Sequence, residues 1–135
     1  ELCEAMIQVD GQEPQSVGFA GVSKQPHSQN ATLECLYVNR DMRGQRIGNS
    51  IVEAMLHKAF TAWGCRRFGT QAYDITDSHG IYTRLMKLEG RLRGVGFYNG
   101  KAMDLLQYGI LREEYFARKP GEAVTLLPVD PPSEK

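Results

Sequence analysis

A chain of 135 residues suits one domain, and its 41% hydrophobic content suffices for one continuous core. Its 16 Lys and Arg balance 16 Asp and Glu, so no global field gathers nucleic acid or an anionic membrane surface, and any polyanion has to be met locally. Cys3, Cys35 and Cys65 are odd in number and lack metal-ligand spacing; they predict reduced thiols, packed as small apolar groups, in a cytoplasmic protein without a metal. No apolar run approaches the roughly 20 residues that cross a bilayer, and Glu1-Leu2-Cys3-Glu4 does not read as a signal peptide.

Ala5 to Val9 and Ser16 to Ser23 read as two strands of a hairpin, bounded by Asp10-Gly11 and by the polar cluster Gln25 to Asn30. Ala31 to Val38 is a third strand, whose alternation puts Leu33, Cys35 and Tyr37 on one face and Glu34, Leu36 and Val38 on the other. From Ile47 the period changes: Ile47, Ile51, Val52, Met55, Leu56, Ala59 and Phe60 recur at helical spacing, and Gly64 suits the left-handed position past a helix end. Arg67 to Tyr73 reads as a strand with the Arg66-Arg67 pair on a solvated edge, and Asp77 or Ser78 can cap a short helix carrying Ile81, Tyr82 and Leu85. Arg91 to Tyr98 and Lys101 to Leu111 flank Asn99-Gly100, a two-residue hairpin signal. The order βββ-α-β-α-ββ predicts an α/β chain with a single mixed, mostly antiparallel twisted sheet over residues 1–118. A helical turn near Glu113 to Arg118 ends it, and the Pro-rich stretch 119–135 reads as a tail.

The chemistry concentrates in Val38-Asn39-Arg40-Asp41-Met42-Arg43-Gly44-Gln45-Arg46-Ile47-Gly48, where a strand passes through a basic, Gly-containing turn into an amphipathic helix. The first helical turn exposes unpaired N–H groups carrying about half a positive charge, glycine lets a phosphate approach them, and Arg43 and Arg46 add counter-charge. Neither the Walker A pattern nor the three-glycine dinucleotide fingerprint is present.

This stretch resembles the Arg/Gln-x-x-Gly-x-Gly/Ala signature of the GNAT superfamily of N-acetyltransferases: Arg43 takes the first position, Gly44 the next, Gly48 closes the pattern, and Arg46 stands at the usual middle glycine. A second resemblance, to the C-terminal hairpin of ribosomal-protein-alanine and amino-sugar N-acetyltransferases, runs through Leu88-Glu89-Gly90-Arg91-Leu92-Arg93, Tyr98-Asn99-Gly100-Lys101, Asp104 and Tyr108 to Tyr115. Together they cover roughly Ala5 to Phe116. The resemblance implies acetyl-CoA as co-substrate, its pyrophosphate held by Arg43, Gly44, Gln45, Arg46, Ile47, Gly48 and Asn49, and its pantetheine arm by the backbone of Leu36 and Val38. It also implies transfer of acetyl by direct attack of a primary amine on a small molecule, amino sugar or protein N-terminus. For the Arg66-Arg67 pair, contact with the 3′-phosphate of that cofactor is the reading that competes with a solvated edge.

Glu34, on the strand leading into the loop, stands where a family base often sits; apolar neighbours Leu36 and Val38 would raise its pKa, and an exposed strand charge is the competing reading. Tyr82 matches the tyrosine that protonates coenzyme A sulfur in many members, with core packing as its competitor. Met86-Lys87 replace the usual Gly-Phe, and only Glu1 to Glu4 precede the first hairpin, where most members carry a strand and two helices. The acceptor site is then open, or completed by another segment or subunit such as a homodimer partner. The alternative to an enzyme is a non-catalytic GNAT-derived module that binds coenzyme A or a protein.

Overall fold

The helical stripe that begins at Ile47 becomes helix α1 (Ile47–Thr61) in the computed structural model, which describes residues 2–7, 15–25, 27–44, 46–76, 79–118 and 125–128. Ile51, Val52, Met55, Leu56, Ala59 and Phe60 on that stripe are fully buried, and each large side chain contributes about 1.5–3 kcal/mol by leaving water. The helix stops where the sequence indicates: Gly64 takes φ +63°, Cys65 N–H returns to the Ala59 carbonyl, and the Arg112 guanidinium donates to the Phe60 carbonyl at 2.6 Å.

The stripe packs on a sheet with strand order β5-β6-β4-β3-β2-β1-β7. Its strands are β1 (Leu2–Ile7), β2 (Gln15–Gln25), β3 (Asn30–Val38), β4 (Arg67–Tyr73), β5 (Lys87–Tyr98), β6 (Lys101–Leu111) and β7 (Thr125–Pro128), joined by α1, α2 (His79–Leu85) and α3 (Arg112–Phe116). Among the described residues only β3 and β4 pair in parallel, across the α1 crossover. Asn99 and Gly100 adopt φ +49° and +76°, the two left-handed values that a tight hairpin needs. The expected α/β order is therefore present, with α3 at the expected helical turn.

Two local expectations change. Within the stretch read as a tail, Thr125–Pro128 forms β7 and pairs antiparallel with β1, which leaves β5 at the far edge of the sheet. The alternation of β3 is broken by a bulge: Gly21 pairs with Cys35 and Val22 with Leu33, so Glu34 has no partner on β2. One extra residue resets the two-residue period. Leu33, Leu36 and Val38 consequently join the same core side beneath α1, while Cys35 turns out and is exposed, against the expectation of a buried thiol. Cys65 is buried as expected.

Candidate functional site

Beyond the bulge, β3 loses its second neighbour. β3 pairs with β4 only from Asn30–Arg67 to Leu33–Thr70, while β4 continues to Tyr73 alongside β6. The two central strands thus diverge after Leu33, whose carbonyl accepts the Thr70 hydroxyl at 3.0 Å. Asn39 N–H donates to the Val17 carbonyl of β2 at 2.7 Å. Because backbone groups alternate sides along a strand, the N–H and C=O groups of Leu36 and Val38 point the other way, into the gap left by β4.

The chain then turns into α1 through a short 3-10 segment, Arg40–Met42. The Asn39 side chain anchors the exit by donating to the Ser16 carbonyl at 2.9 Å. Gly44 takes φ +84°, and Arg46 takes φ +60° and ψ +23°, immediately before the helix. The position where the signature has its middle glycine is therefore a left-handed one, and Arg46 occupies it at a cost of roughly 1–2 kcal/mol relative to glycine. Among the described residues no side chain caps α1, so its first-turn N–H groups remain available to an external acceptor.

These parts enclose a cleft of about 600 Å³ lined by Leu36, Tyr37, Val38, Arg43, Gly44, Arg46, Ile47, Gly48 and Asn49 on one side and by Ile81 and Arg84 of α2 on the other. Gly48 is where the two helices close: a Cβ there would lie 2.8 Å from Ile81 Cδ1 and 3.4 Å from Val38 Cγ2. Arg43 donates through Nε to the Val38 carbonyl at 3.1 Å and lies over the Tyr37 ring at 5.6 Å, and Tyr37 in turn stacks on Phe19. Arg84 Nε reaches Asn49 Oδ1 at 3.3 Å.

All the expected cofactor residues that are described thus meet on one cleft; Gln45, and the expected caps Asp77 and Ser78, lie outside the described residues. Tyr37, Ile81 and Arg84 are additions to the sequence reading. The three-residue spacing of Ile81 and Arg84 along one helix face was the available signal for two of them.

The two expected catalytic side chains stand apart from this lining. Glu34 is exposed, and its carboxylate accepts the Ser23 hydroxyl at 2.7 Å on the sheet side away from α1. The apolar surroundings expected from Leu36 and Val38 are absent, because the bulge sends those residues to the opposite side. Tyr82 is 5% exposed, with its ring 5.5 Å from that of Tyr108, the register partner of Thr70 where β3 and β4 part. Burial pushes the Tyr108 hydroxyl pKa up. Its oxygen lies 2.8 Å from His79 Nδ1, while His79 Nε2 lies 2.6 Å from the Tyr73 carbonyl. A carbonyl only accepts, so Nε2 carries the proton and, in the neutral ring, Nδ1 accepts from Tyr108. Arg67 is bound bidentately by Glu89 at the β4 start. That start pairs with Asn30, about 26 Å of strand from the loop.

Comparison with known proteins agrees with this geometry. The sequence profile of the acetyltransferase (GNAT) family matches residues 4–88. No curated protein sequence matches the chain. Among solved structures, a chimera of the Vibrio cholerae spermidine N-acetyltransferase SpeG and hSSAT superposes with a TM-score of 0.70 at 17% identity, covering 77% of this chain and 64% of that one. A point variant of the V. cholerae enzyme gives 0.70 at 15% identity, with 82% and 65% covered. An N-acetyltransferase from Staphylococcus aureus Mu50 gives 0.64 at 20%, with 78% and 64% covered. The chain therefore spans just under two thirds of the length of each of these proteins, and at such identities the likeness concerns the fold. With a family profile over more than half its length and a strand, left-handed turn and uncapped helix built around one cleft, the chain belongs to the GNAT acetyltransferase family.

Proposed function

We propose that this chain binds acetyl-CoA in the cleft at the start of α1 and transfers its acetyl group to a primary amine. The observation that carries the reading is the conjunction of two features: uncapped helix N–H groups flanked by Arg43 and Arg46, and the divergence of β3 from β4 beside them. Loop and helix start suit a pyrophosphate. The inward-facing amides of Leu36 and Val38 suit the amide-bearing pantetheine arm, which, laid along β3, would bring the thioester to the gap.

The amine nitrogen attacks the thioester carbonyl carbon, forming the C–N bond; the oxyanion collapses and the C–S bond breaks. Glu34, on the sheet side opposite α1, accepts the proton lost by the ammonium nitrogen. Tyr82, whose ring packs against Tyr108 of β6, supplies the proton that the thiolate takes. The fold relatives named for N-acetyl transfer, spermidine enzymes among them, support an amine as acceptor.

A second reading, a non-catalytic coenzyme A module, is favoured by the burial of Tyr82 and its absence from the described cleft lining. Calorimetric titration with acetyl-CoA, on the wild type and on Arg43→Ala with Gly48→Glu, followed by thiol release with pooled amines, separates the two. Binding abolished by the loop changes, with thiol release, supports the transferase. Binding without release selects the module, and no binding rejects both.

A further inference from the structure

The cleft is more basic than a pyrophosphate requires. Arg43 and Arg46 belong to the loop that enters α1, and with the helix N–H groups they match a diphosphate. A third guanidinium, Arg84, comes from α2 on the opposite wall, and the described lining residues include no Asp or Glu. In a chain of zero net charge, this is a local concentration of positive charge.

Arg84 is held in place. Its Nε donates to Asn49 Oδ1 in the first turn of α1. Its guanidinium lies over Gly80, one turn earlier on α2, where a Cβ would meet a terminal nitrogen at 3.4 Å, an ordinary contact. Neither terminal nitrogen has a partner among the described residues. A planar fork fixed at its Nε with two free NH2 groups is the geometry that grips a phosphate monoester.

We infer that Arg84 reads a third phosphate, the 3′-phosphate of coenzyme A, so that the cleft selects 3′-phosphorylated coenzyme A thioesters over their dephospho counterparts. The inference rests on the acetyl-CoA reading above and adds a specificity-determining residue to it. The ribose separates the 3′-monoester from the pyrophosphate, which matches a guanidinium on the wall facing the loop.

The test is a thermodynamic cycle: calorimetric Kd for acetyl-CoA and acetyl-dephospho-CoA, each with wild type and Arg84→Gln, at one fixed salt concentration. Circular dichroism confirms that the variant is folded. The inference expects the wild type to prefer acetyl-CoA about tenfold, the scale of one charge-assisted contact. Arg84→Gln should lose that preference while binding acetyl-dephospho-CoA as the wild type does. Equal weakening toward both ligands would place Arg84 on the pyrophosphate or on Asn49 and overturn the inference, as would an undiminished preference in the variant. If the wild type binds neither ligand, the acetyl-CoA reading falls and takes this one with it.

Discussion

Arg43 and Val38 are joined across the mouth of the loop: the guanidinium Nε donates to the strand-end carbonyl at 3.1 Å, with the Tyr37 ring beneath it. The cation that faces an incoming anion is thereby tied to the last residue of the strand that would hold the rest of the ligand. Lysine can supply the charge but not a planar fork that serves carbonyl, ring and anion together. Acetyl-CoA affinity should fall about threefold to tenfold in Arg43→Lys and about tenfold or more beyond that in Arg43→Ala. Calorimetric affinities equal for Arg and Lys would reduce the role to point charge alone.

Arg46 separates stability from binding. Arg46→Gly removes the side chain from a left-handed backbone and should raise stability by about 1 kcal/mol, visible as a Tm increase of a few degrees. The same change deletes one guanidinium of the cleft, so acetyl-CoA affinity should drop. A variant that is both less stable and unimpaired in binding would contradict both halves.

Gly48 sets the spacing of the two helices. Gly48→Ala brings a methyl to within 2.8 Å of Ile81 Cδ1, the movable end of that side chain, so the fold should survive while the cleft narrows. Weaker acetyl-CoA binding in Gly48→Ala, restored in part by Ile81→Val, is the expected pair of results. If the second change restores nothing, the contact does not govern the cleft.

The Arg67–Glu89 pair predicts an acid limb of stability. The Arg67 guanidinium, through its hydrogen bonds, holds the Glu89 carboxyl below the usual carboxylate range. A carboxyl with a depressed folded-state pKa adds stability above its unfolded pKa, near 4.5, and loses it as pH falls through the folded value. Urea midpoints at pH 7 and pH 3 should differ less for Glu89→Gln than for the wild type. An unchanged pH dependence would show that the pair does not contribute.

The two described thiols should react at different rates. Cys35 is exposed past the β3 bulge, whereas Cys65 is buried and burial pushes its thiol pKa up. A maleimide pulse on the folded protein, mapped by peptide mass spectrometry, should label Cys35 well before Cys65. Equal labelling would mean that the Cys65 site opens readily.

What the sequence made legible was periodic or punctuated. The α1 stripe, the Asn99-Gly100 turn and the glycines of the loop each follow from one residue type's conformational preference, and each lies where expected. Arg46 in the signature's middle position was legible as a departure, while its left-handed backbone emerged only from the fold. The bulge at Glu34 was not legible, because a single unpaired residue inverts every face beyond it without changing composition. The faces assigned to Glu34 and Cys35 were wrong for that one reason. Arg84 carried a signal that the sequence reading did not use, its three-residue spacing from Ile81 on a helix of 7 residues. The pairing of Thr125–Pro128 with β1 is a contact between distant segments that local pattern does not encode.

The divergence of β3 from β4 also makes one strand keep two clocks. Amides of Asn30 to Leu33 sit between two neighbouring strands and exchange with solvent only when the sheet opens, whereas those of Leu36 and Val38 face the gap and exchange on the timescale of solvent access. A ligand laid along the gap slows the second set and leaves the first untouched, so the same strand carries both an occupancy gauge and its internal reference.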